Sequence, residues 1–447
     1  ARPDFKVWFF ILGLCLITGV LFGTAPALRS LRIELISNLK GIAPSAKSRG
    51  LRLNFGKSFV VLQVAVSMIL LVSAGLLTRS LVELENQQLG FEPRNVLIAK
   101  MGARLGGYRS EQLPGLLRHA LERVRALPGV ERATVAVYSP ISGNQNDTSI
   151  SIPGYVPQPN ERMNIQRNWV GPDYFQTLGI AIKEGRGIGR EDLEGAPRVA
   201  VVSENVVHRF FSREDPIGHK FYAGSATAPG DEIEIIGVVE DTKFDSLRGQ
   251  ASPMVFFPAF QKAGESFPWA DELEVRISGS PESAAAELRQ AIRSIDPNLP
   301  LQKINLLDQQ ITDSLQRERT TAKLANHFAT LALLLACVGI LGLVTHTVIH
   351  RTNEIGLRMA VGAGSQQVLW MIMRECLVMI TTGLVLGIVA AIISARLLQH
   401  QLFAVQSADP MTMLFASALL FLTAMLASYI PARRATKIDP MVALRYE

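Results

Sequence analysis

The chain has 447 residues, of which 48% are hydrophobic and 19% charged, with 45 Lys and Arg against 39 Asp and Glu and a formal net charge of +6. That length allows two or three units of ordinary domain size, and the apolar content, gathered into long uncharged runs, excludes a disordered chain and argues against a simply soluble one. The three cysteines, Cys15, Cys337 and Cys376, all fall inside such runs, which excludes a disulfide framework for the long segment between them.

A helix needs about 20 apolar residues to cross a ~30 Å hydrocarbon core. Five runs qualify: 7–28, 58–77, 324–350, 376–395 and 411–430. Buried core helices seldom run so far without a charge, so these are read as membrane spans. The run at 7–28 is too long for a signal peptide and lacks a small-residue cleavage site. Because Ala1 is not a Met, the sequence is expected to begin inside a longer chain.

Basic residues in short loops mark the cytoplasmic face. Residues 29–57 form a basic linker with Arg29, Arg32, Lys40, Lys47, Arg49, Arg52 and Lys57 against Glu34 alone. The loop after the third span carries Arg351, Arg358 and Arg374, and the tail 431–447 carries Arg433, Arg434, Lys437 and Arg445. All three are cytoplasmic only if residues 78–321 and the short loop 396–410 lie outside. The net positive charge is therefore a matter of topology, and no nucleic-acid partner is expected.

The segment APALRSLRIELISNLK, from Ala25, resembles IPARRATKIDPMVALR, from Ile430, at an offset of 405 residues: Pro26 matches Pro431, Ala27 Ala432, Arg29 Arg434, Ile33 Ile438 and Leu39 Leu444. The first span thus reads as the last span of an upstream repeat, and the rest as one span, a large external domain and three further spans.

The external segment reads as mixed α/β. NVLIAKM (95–101) is strand-like, and 110–127 carries a helical apolar stripe closed by Pro128-Gly129. Further strands are expected at 130–137, 198–202, 234–239, 254–257 and 273–277, and another amphipathic helix at 282–295, closed by Asp296-Pro297. GRGIGR (185–190) and the ATAPGDE stretch are expected to be loops. The predicted fold class is an α-helical membrane protein with a large extracytoplasmic α+β domain in two lobes. Leu77, Leu81 and Leu84 hold one helix face beyond the second span, and 317–323 leads into the third without a helix breaker, so two helices are expected to rise as a stalk.

Catalytic motifs are missing from the sequence. There is no G-x-x-x-x-G-K-[ST], no G-x-S-x-G and no H-E-x-x-H, and the glycines of GRGIGR do not fit a dinucleotide loop. His346 and His350 share a helix face, but no carboxylate or cysteine adjoins them, so interfacial histidines are expected and no metal site. No cofactor and no catalytic residue is expected on this chain.

Between the third and fourth spans stands RTNEIGLRMAVGA, 351–363. Glu354 and Arg358 are an i, i+4 ion pair, Ile355 and Met359 share a face, Gly362 and Gly364 break the helix, and Ser365 is a good N-cap for the next one. A short amphipathic helix here suits either a partner's groove or the lipid interface, and spacing alone does not choose.

The same stretch resembles the signature of the FtsX-like/MacB-like ABC transporter permeases. So do VGPDYFQTLGI, APRVAVVSENVVHRFF, EDPIGHKF, EIIGVVEDTKFDSL, RERTTAKL and the terminal PARRATKIDPMVALRYE. Together with the repeat, this is similar to the duplicated permeases of acidobacterial type, of which the chain would be the C-terminal half. The resemblance implies a MacB-like periplasmic core domain over 78–321, with stalk helices. It implies an FtsX-like permease domain over 322–447, with a coupling loop at 351–375 that docks on a separate cytoplasmic ABC ATPase holding the ATP. The implied coupling residues are Glu354, Ile355, Gly356, Leu357, Arg358, Met359 and Gly362; Val361 stands where the family's pattern leads one to expect Leu. It also implies a bacterial inner-membrane location, with the lipid bilayer, a periplasmic adaptor or outer-membrane factor, and the upstream repeat or a second permease as partners. Polar residues in the spans are few, Gln63 and Thr345 among them, which argues against a pore. The expected function is mechanical transmission for export of antibiotics, peptides or lipoproteins. The alternative is a transmembrane regulator or sensor acting on a periplasmic enzyme or signalling partner.

Overall fold

The computed structural model describes residues 55–397 apart from 145, 160, 212–213, 225–231 and 265, together with 403, 409–436 and, near the start, Phe9, Leu12 and Gly13. The expected first span, apart from these last three helical residues, most of the basic linker, the first copy of the repeat and the tail from 437 on lie outside the described residues. The chain divides into one unit of Ala1–Phe55 and a second of Gly56–Glu447. The elements that follow belong to the second, α1 starting at its boundary.

In chain order they are α1 (Phe55–Glu85), β1 (Val96–Met101), α2 (Leu113–Arg125), β2 (Val130–Ala136), β3 (Asp147–Ser151), β4 (Asn164–Val170) and α3 (Tyr174–Leu178). Next come β5 (Ile182–Gly185), β6 (Val199–Ser203), α4 (Glu204–Phe210), β7 (Lys220–Ala223), β8 (Glu232–Val239), β9 (Met254–Pro258) and β10 (Glu272–Ile277). The chain continues with α5 (Pro281–Ile295), β11 (Leu301–Leu306), α6 (Leu307–Ser314), α7 (Gln316–His350), α8 (Thr352–Ala360), α9 (Ser365–Leu397) and α10 (Pro410–Ala435).

The strands form one sheet in the order β11-β1-β10-β2-β4-β3-β7-β8-β6-β9, with β5 on β8. Because β9 also pairs with β4, in parallel, the strands from β4 to β9 close on themselves. This gives two lobes. In the first, β11, β1, β10 and β2 are antiparallel, and α2 and α5 cover one face through Leu117, Leu121, Leu273, Val275, Leu288 and Ile292. In the second, Ile165, Val202, Phe221, Ile235, Val255 and Phe257 point into the ring, with Phe210 of α4. The β6 and β9 residues are buried throughout, which explains their unbroken apolar runs: both faces of these strands are covered. A single register pair, Ala136 with Val170, joins β2 to β4 and so joins the lobes.

Local signals set the helix limits. Ser280 caps α5 by accepting from the Ser283 amide, and Pro281 fits the first turn, where its missing N–H is no loss. After α2 the chain turns at Gly129, whose φ of +75° suits glycine.

Among the described residues four helices, α1, α7, α9 and α10, are long and apolar enough to cross a membrane. Along α1, Val60, Val64, Met68, Val72 and Leu76 recur every four residues and form the seam on which the others pack. Small residues let the partners come close: a Cβ at Gly383 would lie 2.9 Å from the Val64 side chain, and one at Gly387 2.7 Å from Met68. Both α1 and α7 continue past the membrane-grade stretch, and Leu84 of α1 and Leu315, the residue just before α7, enter the cluster that holds Tyr174, Phe175 and Phe256 in the external domain.

Candidate functional site

The helices α7 and α8 are joined by one residue. Arg351, with φ −109° and ψ 13°, ends the first and precedes the second, and its carbonyl accepts from the Ile355 amide. No glycine loosens this joint. The Arg351 guanidinium donates to Glu375 Oε2 on α9 at 3.0 Å, and the Lys57 ammonium at the start of α1 pairs with the other oxygen of the same carboxylate. One carboxylate therefore ties together α1, the α7–α8 joint and α9 at the membrane end remote from the external domain.

The candidate residues do not share one role. Glu354 and Arg358 are exposed and paired at 2.7 Å, and Arg358 also reaches Met371 Sδ of α9. Ile355 is 1% exposed and Met359 is half-buried; both pack onto the core of the membrane helices, with Gly356 also buried. The face expected to point outward is thus turned inward, because the 3.6-residue period fixes which residues share a face but not which neighbour that face meets. The apolar groups offered to solvent are Leu357, 57% exposed, and Val361, 83% exposed. Gly362 turns the chain at φ +104° with open space around its Cα, so it is needed for its backbone angle and not for room. Helix α9 starts at Ser365 itself, one residue earlier than a cap at that position would place it. Beside this end a groove of about 480 Å³ is lined by Lys57, Trp370, Arg374 and Glu375.

Glu375 and Lys57 were not among the candidate residues. Their signal in the sequence is positional: each borders an uncharged run at the same end of its span as Arg351. The rings of His346 and His350 meet at a tilt with centroids 4.3 Å apart, and among the described residues no group of three His, Cys, Asp or Glu is placed to hold a metal.

At the opposite end, polar contacts bind the helices to one another and to the domain. Asn326 donates to Thr78 at 2.8 Å, Arg319 pairs with Glu85 at 2.8 Å, and Arg248, in the loop after β8, pairs with Glu318 at 3.0 Å. Arg79 pairs with Asp409 at 2.6 Å, and Asp409 caps α10 through the Thr412 amide. So α1, α7 and α10 are fastened just where they leave the membrane.

Within the domain, β10 carries a buried row of ionisable side chains. Glu272 accepts from the Ser139 amide at 2.7 Å and pairs with Lys100 at 3.3 Å. Arg276 donates to the carbonyls of Thr177, Glu92 and Arg94. Between them Glu274 is fully buried, opposite Thr134 on β2 and Ile98 on β1, and among the described residues neither carboxylate oxygen has a hydrogen-bond partner. Burial, with the charge of Glu272 adding to it, pushes this carboxyl well above the usual carboxylate range.

Residues 59–295 match the profile of the MacB-like periplasmic core domain, and residues 326–440 that of the FtsX-like permease C-terminal. Among curated proteins, the macrolide export ATP-binding/permease protein MacB of Escherichia coli K12 is 29% identical over 289 residues, 63% of this chain and 43% of that protein. MacB 2 of Aeromonas hydrophila is 28% identical over 308 residues, 67% of this chain and 46% of that protein. The chain thus spans less than half the length of these relatives. Among solved structures, the periplasmic region of MacB from Actinobacillus actinomycetemcomitans aligns with TM-score 0.36 and 17% identity, over 51% of this chain and 94% of that one. A periplasmic core domain followed by an FtsX-like permease region, carried on apolar helices of membrane-crossing length, makes this chain a member of the MacB/FtsX-like family of ABC transporter permeases, a multi-pass inner-membrane protein with its large domain outside the cytoplasm.

Proposed function

We propose that this chain transmits force: a cytoplasmic ATPase on a separate chain binds ATP, moves α8, and so changes the shape of the external domain. The observation that carries this reading is the continuity of α7. Its 35 residues, about 50 Å at 1.5 Å per residue, run from the α8 joint to the core of the external domain, with one ordinary residue at the joint. A displacement of α8 has no slack to absorb it, and Arg351 and Lys57 on Glu375 pass it on to α1 and α9. Coupling of this kind needs an element with two arrangements; the single pairing between β2 and β4 is where the lobes would bend.

The exposed Leu357 and Val361 are the apolar contacts for the ATPase, with Glu354 and Arg358 as the polar rim and Ile355, Gly356 and Met359 holding the helix in place. Export of an antibiotic, peptide or lipoprotein is the use we propose for the motion. An adaptor or outer-membrane factor outside, and an upstream repeat or second permease alongside, would complete the assembly. The test is co-purification of the full chain, from its native membrane, with a P-loop ATPase. Leu357→Asp with Val361→Asp is expected to abolish capture while leaving the melting temperature unchanged. A double variant that still brings down the ATPase would overturn the reading, and so would a wild-type chain that brings down none.

A further inference from the structure

The closed lobe of the external domain carries a groove of about 320 Å³, bordered by β4, β6, β7, β8 and β9. Its apolar wall includes Trp169 and Phe257, whose ring centroids lie 5.8 Å apart, and Ile233. Three cations line it: Arg167, Arg198 and Lys262. Lys262 is paired with Glu194 at 2.8 Å. Arg167 is placed differently. Its guanidinium is half-buried, stacks over Trp169 at 4.7 Å from the ring centroid, and donates through Nε to the neutral amide oxygen of Asn146 at 2.9 Å. Among the described residues no carboxylate stands within ion-pair distance of it; Asp147 on β3 acts on it only from further away. A half-buried charge without a counter-charge is costly, and burial lowers its proton affinity accordingly.

A guanidinium over an indole, both lining one cleft with further aromatic wall, is a receptor for a carboxylate on a planar apolar body. The volume suits a small organic molecule, and the mixture of apolar wall and a few polar groups is what such sites require. We infer that this groove binds a small aromatic or amphipathic carboxylate, with Arg167 holding the anionic head and Trp169 and Phe257 the flat body. This inference does not rest on the transmission reading, since a ligand here could be cargo or signal.

The test uses the full chain in nanodiscs of zwitterionic lipid, with empty discs subtracted, and 2-naphthoate as the probe against its neutral twin 2-naphthamide. Calorimetric titration is expected to show saturable binding of the naphthoate and at least about tenfold weaker binding of the amide. Arg167→Gln is expected to remove that preference. The backbone bonds at this position, Tyr138 Oη to the Arg167 carbonyl and the Arg167 amide to Asn146, do not involve the side chain, so the variant keeps the fold. Lys262→Gln, whose charge Glu194 already balances, is expected to change affinity little. No saturable binding to the wild type, equal binding of the two probes, or an unchanged preference in Arg167→Gln would each overturn the assignment.

Discussion

Replacing Glu274 by Gln is expected to stabilise the external domain, by an amount that grows with pH. The carboxyl is fully buried with both oxygens unpartnered, and burial raises its proton affinity well above the ordinary range. The folded protein therefore keeps a proton that the unfolded chain, with a carboxyl near the ordinary ~4.3, has already released. Stability conferred by such a group is complete below the unfolded value and falls as pH rises toward the folded one, by about 1.4 kcal/mol per pH unit. For each pH unit within that interval the wild type loses stability that Glu274→Gln, having no proton to exchange, keeps. For a domain of this size, about 1.4 kcal/mol is about 3 to 6 °C in melting temperature. The assay is thermal unfolding of the full chain in nanodiscs, followed by tryptophan fluorescence at several pH values, with wild type and variant compared at each. Taking the difference cancels the titrating groups that do not couple to Glu274; Glu272, which does, is part of the effect measured. A gap that stays constant across pH, or one that closes as pH rises, would refute the reasoning.

Glu375→Gln leaves Lys57 and Arg351 facing each other without a counter-charge. Because all three groups are partly exposed, the stability change is expected to stay near 1 kcal/mol. ATPase capture should persist, while ATP should no longer alter the protease sensitivity of the external domain in reconstituted complexes. Gly387→Val places a branched side chain where even a Cβ stands 2.7 Å from Met68 and 3.1 Å from the Ala65 Cα, forcing α9 off α1. A loss of about 1 to 3 kcal/mol is expected, read as a lower melting temperature.

The membrane helices were legible because hydrocarbon imposes a long uncharged run and nothing else in a chain does. Strands β6, β8, β9 and β10 showed themselves by apolar content, and α2 and α5 by their stripes and their proline and glycine stops. Strands β3, β4, β5, β7 and β11 escaped notice. Sequences such as DTSIS and LQKINL are half polar, and register with partners far along the chain makes them strands. ELEVRI shows a different limit. Its alternation reads as a polar face in water, but α3 and the stalk leucines cover that face, so Glu272 and Glu274 are buried and Arg276 half-buried where a two-residue period suggests solvent. Ile355 fails in the same manner: its face was legible and the neighbour it meets was not. For the candidate site, the sequence located the α8 segment and its ion pair, whereas the carboxylate of Glu375 came into view only when three helix ends were brought together.

The unbroken run of α7 has a geometric corollary. Each residue in a helix advances about 1.5 Å and turns about 100°, so adding or deleting one residue anywhere between Gln316 and His350 would screw the two ends out of phase. Glu318 could then face Arg248, or Arg351 could face Glu375, but not both. The helix keeps time between its two ends, and its residue count is as much a part of the site as any side chain along it.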